Sequence, residues 1–128
     1  MDTKYFEKIR IFDGGMGQEL LSKGLISKGT LWSASALIER EFHKLVIDAH
    51  ISYINAGADI IVTNNFSARK IRFIQNKVLD KFQYANEQAG ILANKAREIS
   101  KQNILIAGSL PSQSDTYVED ERSSSEIQ

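Results

Sequence analysis

The chain of 128 residues contains no cysteine, which excludes disulfides, thiolate nucleophiles and every cysteine-based zinc site from these residues. It also lacks an excess of either charge. Sixteen basic and sixteen acidic side chains cancel, so no global field draws the chain toward nucleic acid or an anionic membrane. Arg69, Lys70 and Arg72, with Lys77 and Lys81 beyond, form one small basic patch read as a solvated helix face, since nucleic-acid binding would need aromatics interleaved with a broader basic surface. No apolar run reaches the roughly 20 residues that span a bilayer. Met1 to Lys8 has no apolar core behind its charges, so no secretory signal is read there and the expected compartment is the cytoplasm. There is no internal repeat.

What is present, 42% hydrophobic and 25% charged residues, suits one soluble globular domain. Ile9, Ile11 and Phe12 predict a short strand that ends in Asp13 and breaks into Gly14, Gly15 and Gly17, where backbone amides can approach a small ligand. Gln18 to Leu31 reads as a helical turn followed by loop. From Ser35 to Asn55 the spacing of Phe42, Leu45, Val46, Ala49, Tyr53 and Ala56 predicts one helix, stopped at Gly57. Ala58 to Phe66 opens as an apolar run, the pattern of a strand buried on both faces, and leaves it through Thr63, Asn64 and Asn65. Ser67 to Asp80 reads as loop with a short helix. Lys81 to Gln102 reads as a helix with Phe82, Ala85, Ala89, Leu92, Ala93, Ala96 and Ile99 on its apolar face, and a third strand runs from Asn103 to Ser109, before Pro111. The tail, 113–128, has few large apolar residues and is expected to be loop.

Strand, helix, strand, helix, strand with short helix-to-strand links predicts an α/β fold of parallel βαβ units. Both a doubly wound sheet and a (β/α)8 barrel accommodate it, and each places ligands at the carboxyl ends of strands. Three parallel strands alone leave two unprotected edges, so the chain is expected to be truncated. The glycine turn does not fit a dinucleotide fingerprint: after Gly15 and Gly17 a glycine or alanine is required at position 20, which is Leu20, and no P-loop lysine follows. His43 and His50 lie seven apart on one predicted helix, too far for a pair of zinc ligands at i and i+4, and His50 is expected to pack against its neighbours.

Several motifs in order carry a resemblance. They are Asp13-Gly14-Gly15-Met16-Gly17 with Glu19-Leu20, Leu31-Trp32-Ser33-Ala34, His50 with Tyr53, and Ala56-Gly57-Ala58-Asp59. Thr63-Asn64-Asn65-Phe66, Ala107-Gly108-Ser109-Leu110-Pro111 and Tyr117 complete them. Through these the chain resembles the amino-terminal part of the homocysteine S-methyltransferase family.

The resemblance implies that residues 1–128 are a partial homocysteine-binding domain, the βαβαβ portion of a (β/α)8 TIM barrel with about three of its strands. It implies methyl transfer from a sulfonium or ammonium donor (S-methylmethionine, S-adenosylmethionine or betaine) to the thiol of homocysteine, as in methionine biosynthesis. The expected partners are these small molecules, with no nucleic acid and no membrane. In the family a zinc ion held by three late cysteines binds the thiol as thiolate. This chain has no such ligands, so no catalytic or metal residue is assigned and the chain is expected to be inactive alone.

The resemblance places Asp13, Gly14, Gly15, Thr63, Asn65 and Ser109 around the amino-acid substrate, with the Asp13 carboxylate toward its ammonium end. Each also has a plainer reading. Asp13 is a common residue before a glycine turn, Thr63 and Asn65 can bond locally to backbone at a strand end, and Pro111 can make Ser109 part of a rigid rim. Trp32 reads first as a packing residue. The alternative for the whole chain is a stand-alone, non-catalytic βαβ binding module.

Overall fold

The computed structural model describes residues 2–112. The loop expected over 113–128, and Tyr117 with it, lie outside them. A turn of 3-10 helix over Thr3–Glu7 is capped by Asp2, whose Oδ1 accepts the Lys4 N–H at 3.0 Å. The chain then runs extended into the glycine turn and enters α1, Met16–Ser22. Next come 3-10 residues Trp32–Ala34, then α2, Ser35–Ile38, 3-10 residues Arg40–Phe42 and α3, His43–Asn55. Strand β1, Ile60–Val62, is followed by α4, Lys70–Gln75, then 3-10 residues Leu79–Lys81, α5, Phe82–Ser100, and β2, Leu105–Ala107.

The sheet is parallel, with Ile60 opposite Leu105 and Val62 opposite Ala107. The opening strand is shorter than its sequence implies: it contributes a single parallel bridge, Phe12 to Ile60, on the other side of β1. Its hold on β1 is nonetheless specific. Asp59 N–H donates to the Ile11 carbonyl at 2.8 Å, Ile11 N–H donates to Asp59 Oδ2 at 2.9 Å, and Asp13 N–H donates to the Ile60 carbonyl at 3.0 Å. Ile11 and Phe12 stay more than half exposed, 57% and 54%, because nothing among the described residues covers their outer side. β1, between two neighbours, buries Ile60 and Ile61, whereas β2 is half-buried throughout because among the described residues only β1 pairs with it.

Helices α3 and α5 pack against each other and over the sheet. Ile54, Ala58, Ile61, Ala93, Ala96 and Ile104 form the cluster between them, and a second cluster built on Leu20, Leu37, Val46, Phe73 and Leu92 joins α1 and α2 to the same pair. The face α3 buries is Val46, Ala49, His50 and Ile54, so the predicted apolar stripe is rotated and Ala56 is exposed. In α5 the predicted face holds at Ala85, Ala89, Leu92, Ala93 and Ala96, but Ile99 is 60% exposed.

The single helix expected over 35–55 is broken at Glu39, whose φ of −88° and ψ of 111° are extended. Residues 33–38 are buried on every side, while α3 buries one face, so the two pieces require different directions. The change falls at Glu39, where Oε1 accepts Lys28 Nζ at 2.8 Å. Among the described residues no helix is long and apolar enough to cross a membrane.

Helices α3 and α4 end by the same device. Gly57, at φ +108°, closes α3 with its N–H on the Ile54 carbonyl and that of Ala58 on the Tyr53 carbonyl, both at 3.0 Å. Lys77 closes α4 in the same way, with its N–H on Ile74 and that of Val78 on Phe73, but at φ +58° a lysine carries the left-handed penalty that a glycine escapes. Lys77→Gly is therefore expected to raise stability by about 0.5–1 kcal/mol, read as a higher urea midpoint at unchanged m-value.

Candidate functional site

The carboxyl ends of the opening stretch, β1 and β2 converge on a cavity of about 330 Å³. Asp13 and Gly14 form one edge, Thr63 and Asn64 the floor beyond β1, and Ser109 the third side, with Met16, Gly17, Trp32 and Ser33 closing it from α1 and the segment before α2, and Ser67 from the loop between β1 and α4. Asp13 is positioned by the sheet itself. Its N–H bonds Ile60 and its Oδ2 accepts the Val62 N–H at 3.0 Å, so the carboxylate is fixed where the strand ends. Burial pushes its pKa above the ordinary 3.8, opposed by the hydrogen bonds from the Val62 and Asp13 backbone.

Of the six residues predicted for the site, Asp13, Gly14, Thr63 and Ser109 line this cavity. Gly15 does not. Its carbonyl accepts the Tyr53 hydroxyl at 3.1 Å, and Tyr53 also packs against Gly14, so Gly15 ties the turn to α3. Asn65 faces a neighbouring cavity of about 560 Å³ and acts as a clamp: its Nδ2 donates to Asn86 Oδ1 and to the Ser109 carbonyl, each at 3.1 Å. Thr63 shares that clamp. Its hydroxyl donates to Asn65 Oδ1 at 2.7 Å and accepts the Ser109 N–H at 3.1 Å, which locks the end of β1 to the loop after β2.

Sequence reasoning passed over Asn64, which is buried and donates to the Ser33 carbonyl at 3.2 Å, and Asn86, whose side chain also bonds the Phe82 carbonyl one turn back at 2.9 Å. Asn64 stood between two nominated neighbours and its alternation into the core was the available signal. Asn86 gave none, since a polar residue on a long helix reads as solvated. The basic patch is likewise corrected. Arg69 is buried, and Arg72 Nη1 donates to the Thr30 carbonyl at 2.7 Å, tying α4 to the loop before α2, so these two arginines are not part of a solvated face. His50 is fully buried as expected, and His43 Nε2 lies 2.8 Å from the Leu37 carbonyl.

The tyrosine that supports the turn offers a direct check. Tyr53→Phe removes one hydrogen bond and leaves the ring against Gly14, so a loss of about 1 kcal/mol in folding free energy is expected by chemical denaturation.

Chemically the cavity is asymmetric. Among the described residues Asp13 is the charged one lining it, and the rest of the polar lining is hydroxyl, amide, indole and backbone. Such a lining complements a cationic group beside neutral hydrogen-bonding groups. Among the described residues no three side chains of His, Cys, Asp or Glu gather as a metal site, and the sequence supplies no thiolate.

The chain is 32% identical over 115 residues to homocysteine S-methyltransferase of Escherichia coli, covering 81% of this chain and 35% of that protein. It is 38% identical over 64 residues to homocysteine S-methyltransferase 1 of Zea mays, covering 50% of this chain and 19% of that one. Among solved structures, the metallated form of the E. coli homocysteine methyltransferase MmuM superposes with a TM-score of 0.71 at 29% identity, over 85% of this chain and 40% of that one. The chain thus spans well under half the length of these relatives. The sequence pattern of the family described as Homocysteine S-methyltransferase matches residues 10–128, and the chain belongs to that family.

Proposed function

We propose that residues 1–128 form the amino-acid-binding part of a homocysteine S-methyltransferase barrel, with Asp13 pairing the α-ammonium group of homocysteine. The observation that carries this reading is the cavity at the strand ends whose charged lining residue is one carboxylate, in a chain of this family. Gly14 lets the backbone approach the bound amino acid. Thr63, Asn65 and Ser109 hold the opposite rim, Thr63 and Ser109 facing the ligand and Asn65 bracing them. Gly15 serves by anchoring the turn through Tyr53.

The reaction assigned to the assembled protein is transfer of a methyl group to the homocysteine sulfur. A sulfur–carbon bond forms, the bond from that methyl to the donor's sulfonium or ammonium centre breaks, and the thiol proton is lost. S-Methylmethionine, S-adenosylmethionine and betaine are the donors considered. The residues present do not fit zinc: no cysteine occurs, and no acidic or histidine cluster replaces it among the described residues. No step is therefore routed through a metal on this chain, whose role is to bind and orient homocysteine. The metal site and the rest of the barrel are assigned to polypeptide outside these residues, in keeping with the 40% share of the MmuM chain that is matched. The expected compartment stays the cytoplasm.

The test is equilibrium titration of the chain with L-homocysteine and with N-acetyl-L-homocysteine, which lacks the ammonium charge. Binding of the first and not of the second supports the reading, and equal binding of both removes Asp13 from its role. Turnover of homocysteine by the chain alone would contradict the division of labour proposed here.

A further inference from the structure

Gly17 lies in the first turn of α1 and does not have positive φ, so its backbone makes no demand for glycine. A glycine in a helix is less stable than an alanine there. What meets it is the indole of Trp32: a Cβ on Gly17 would collide with Nε1 and lie 3.0 Å from Cε2 and 3.3 Å from Cζ2. Trp32 is itself in an unfavourable state, with φ +52°, a left-handed conformation that bulky residues seldom adopt. Two costly choices on separate segments thus meet at one contact, and both residues line the cavity that Asp13 edges. Trp32 is 40% exposed, so core burial does not account for holding it this way.

We propose that Gly17 is a positioning residue: its missing side chain seats the Trp32 indole flush on α1 and so sets the width of the cavity beside Asp13. The pair thereby determines which amino-acid side chain the site admits. This inference rests on the reading of the cavity as an amino-acid pocket. Any side chain at position 17 tilts the indole off α1, and the space it takes up is the cavity or its mouth.

Trp32 is the sole tryptophan, so its fluorescence reports this contact alone. In Gly17→Ala the emission maximum and the iodide quenching of Trp32 are expected to shift, and L-homocysteine to bind at least fivefold more weakly. The gain in folding equilibrium that alanine brings to a helix, about two- to fivefold, is expected to be missing in the presence of Trp32 and to return when the same change is made in Trp32→Leu. Unchanged emission together with the full gain in both backgrounds would overturn the contact. An emission shift with unaltered homocysteine affinity would overturn its role in selection. If the native chain binds no homocysteine, the pocket reading fails, and with it the selective role, while the fluorescence and the two-background comparison still decide whether Gly17 seats the indole.

Discussion

Acidification from pH 7 to pH 4 is expected to remove about 3 kcal/mol of folding stability from the native chain that a His50→Leu variant keeps. His50 is fully buried in α3, and among the described residues neither ring nitrogen has a hydrogen-bond partner. Burial alone lowers its pKa from the ordinary 6.5 to about 4. The sign follows from which state binds the proton. Below pH 6.5 the unfolded chain protonates this histidine, and the folded chain does not until about pH 4, so stability falls as pH falls through that window. Leucine of similar size removes both the proton site and an unpaired N–H, so the variant is expected to match or exceed the native chain at pH 7. Denaturant midpoints of the two proteins at each pH unit from 7 to 4 check this. Parallel curves would show that His50 is not what makes the fold acid-sensitive.

Asp13 works in the opposite direction and carries the larger functional effect. Because burial raises its pKa, the folded chain binds that proton more tightly than the unfolded chain. Its contribution to stability is therefore present below the ordinary 3.8 and lost as pH rises through the raised value. Asp13→Asn keeps an oxygen to accept the Val62 N–H and abolishes the charge. The variant is thus expected to be at least as stable as the native chain at neutral pH while losing the pairing with an ammonium group. A charge-assisted hydrogen bond is worth about 1.5–3 kcal/mol, which corresponds to a loss of roughly 10- to 100-fold in homocysteine affinity. More stable and less competent is the pattern of a residue kept for its site and not for the fold.

Much of this was legible in the sequence, for identifiable reasons. Gly57 announced the end of α3 because the left-handed closing residue there needs no side chain, and the apolar run from Ala58 announced a strand covered on both faces. The convergence of Asp13, Thr63 and Ser109 followed from placing each at the end of a parallel strand. What stayed hidden depended on distant partners. The break at Glu39 carries neither glycine nor proline and is set by the packing of residues 33–38. Asn65 looked like a ligand group, yet its amide is committed to Asn86 and Ser109, residues 21 and 44 positions away. The left-handed backbone of Trp32 and the empty side of Gly17 are complementary, and neither can be read without the other.

The central claim is that the Asp13 carboxylate makes this cavity a site for the ammonium end of an amino acid. Calorimetric titration of L-homocysteine into the native chain and into Asp13→Asn at neutral pH tests it most directly. A saturable isotherm for the native chain, weakened at least tenfold in a variant of equal or higher thermal midpoint, is the predicted result. Equal affinities for the two proteins, or no binding to the native chain, would contradict it.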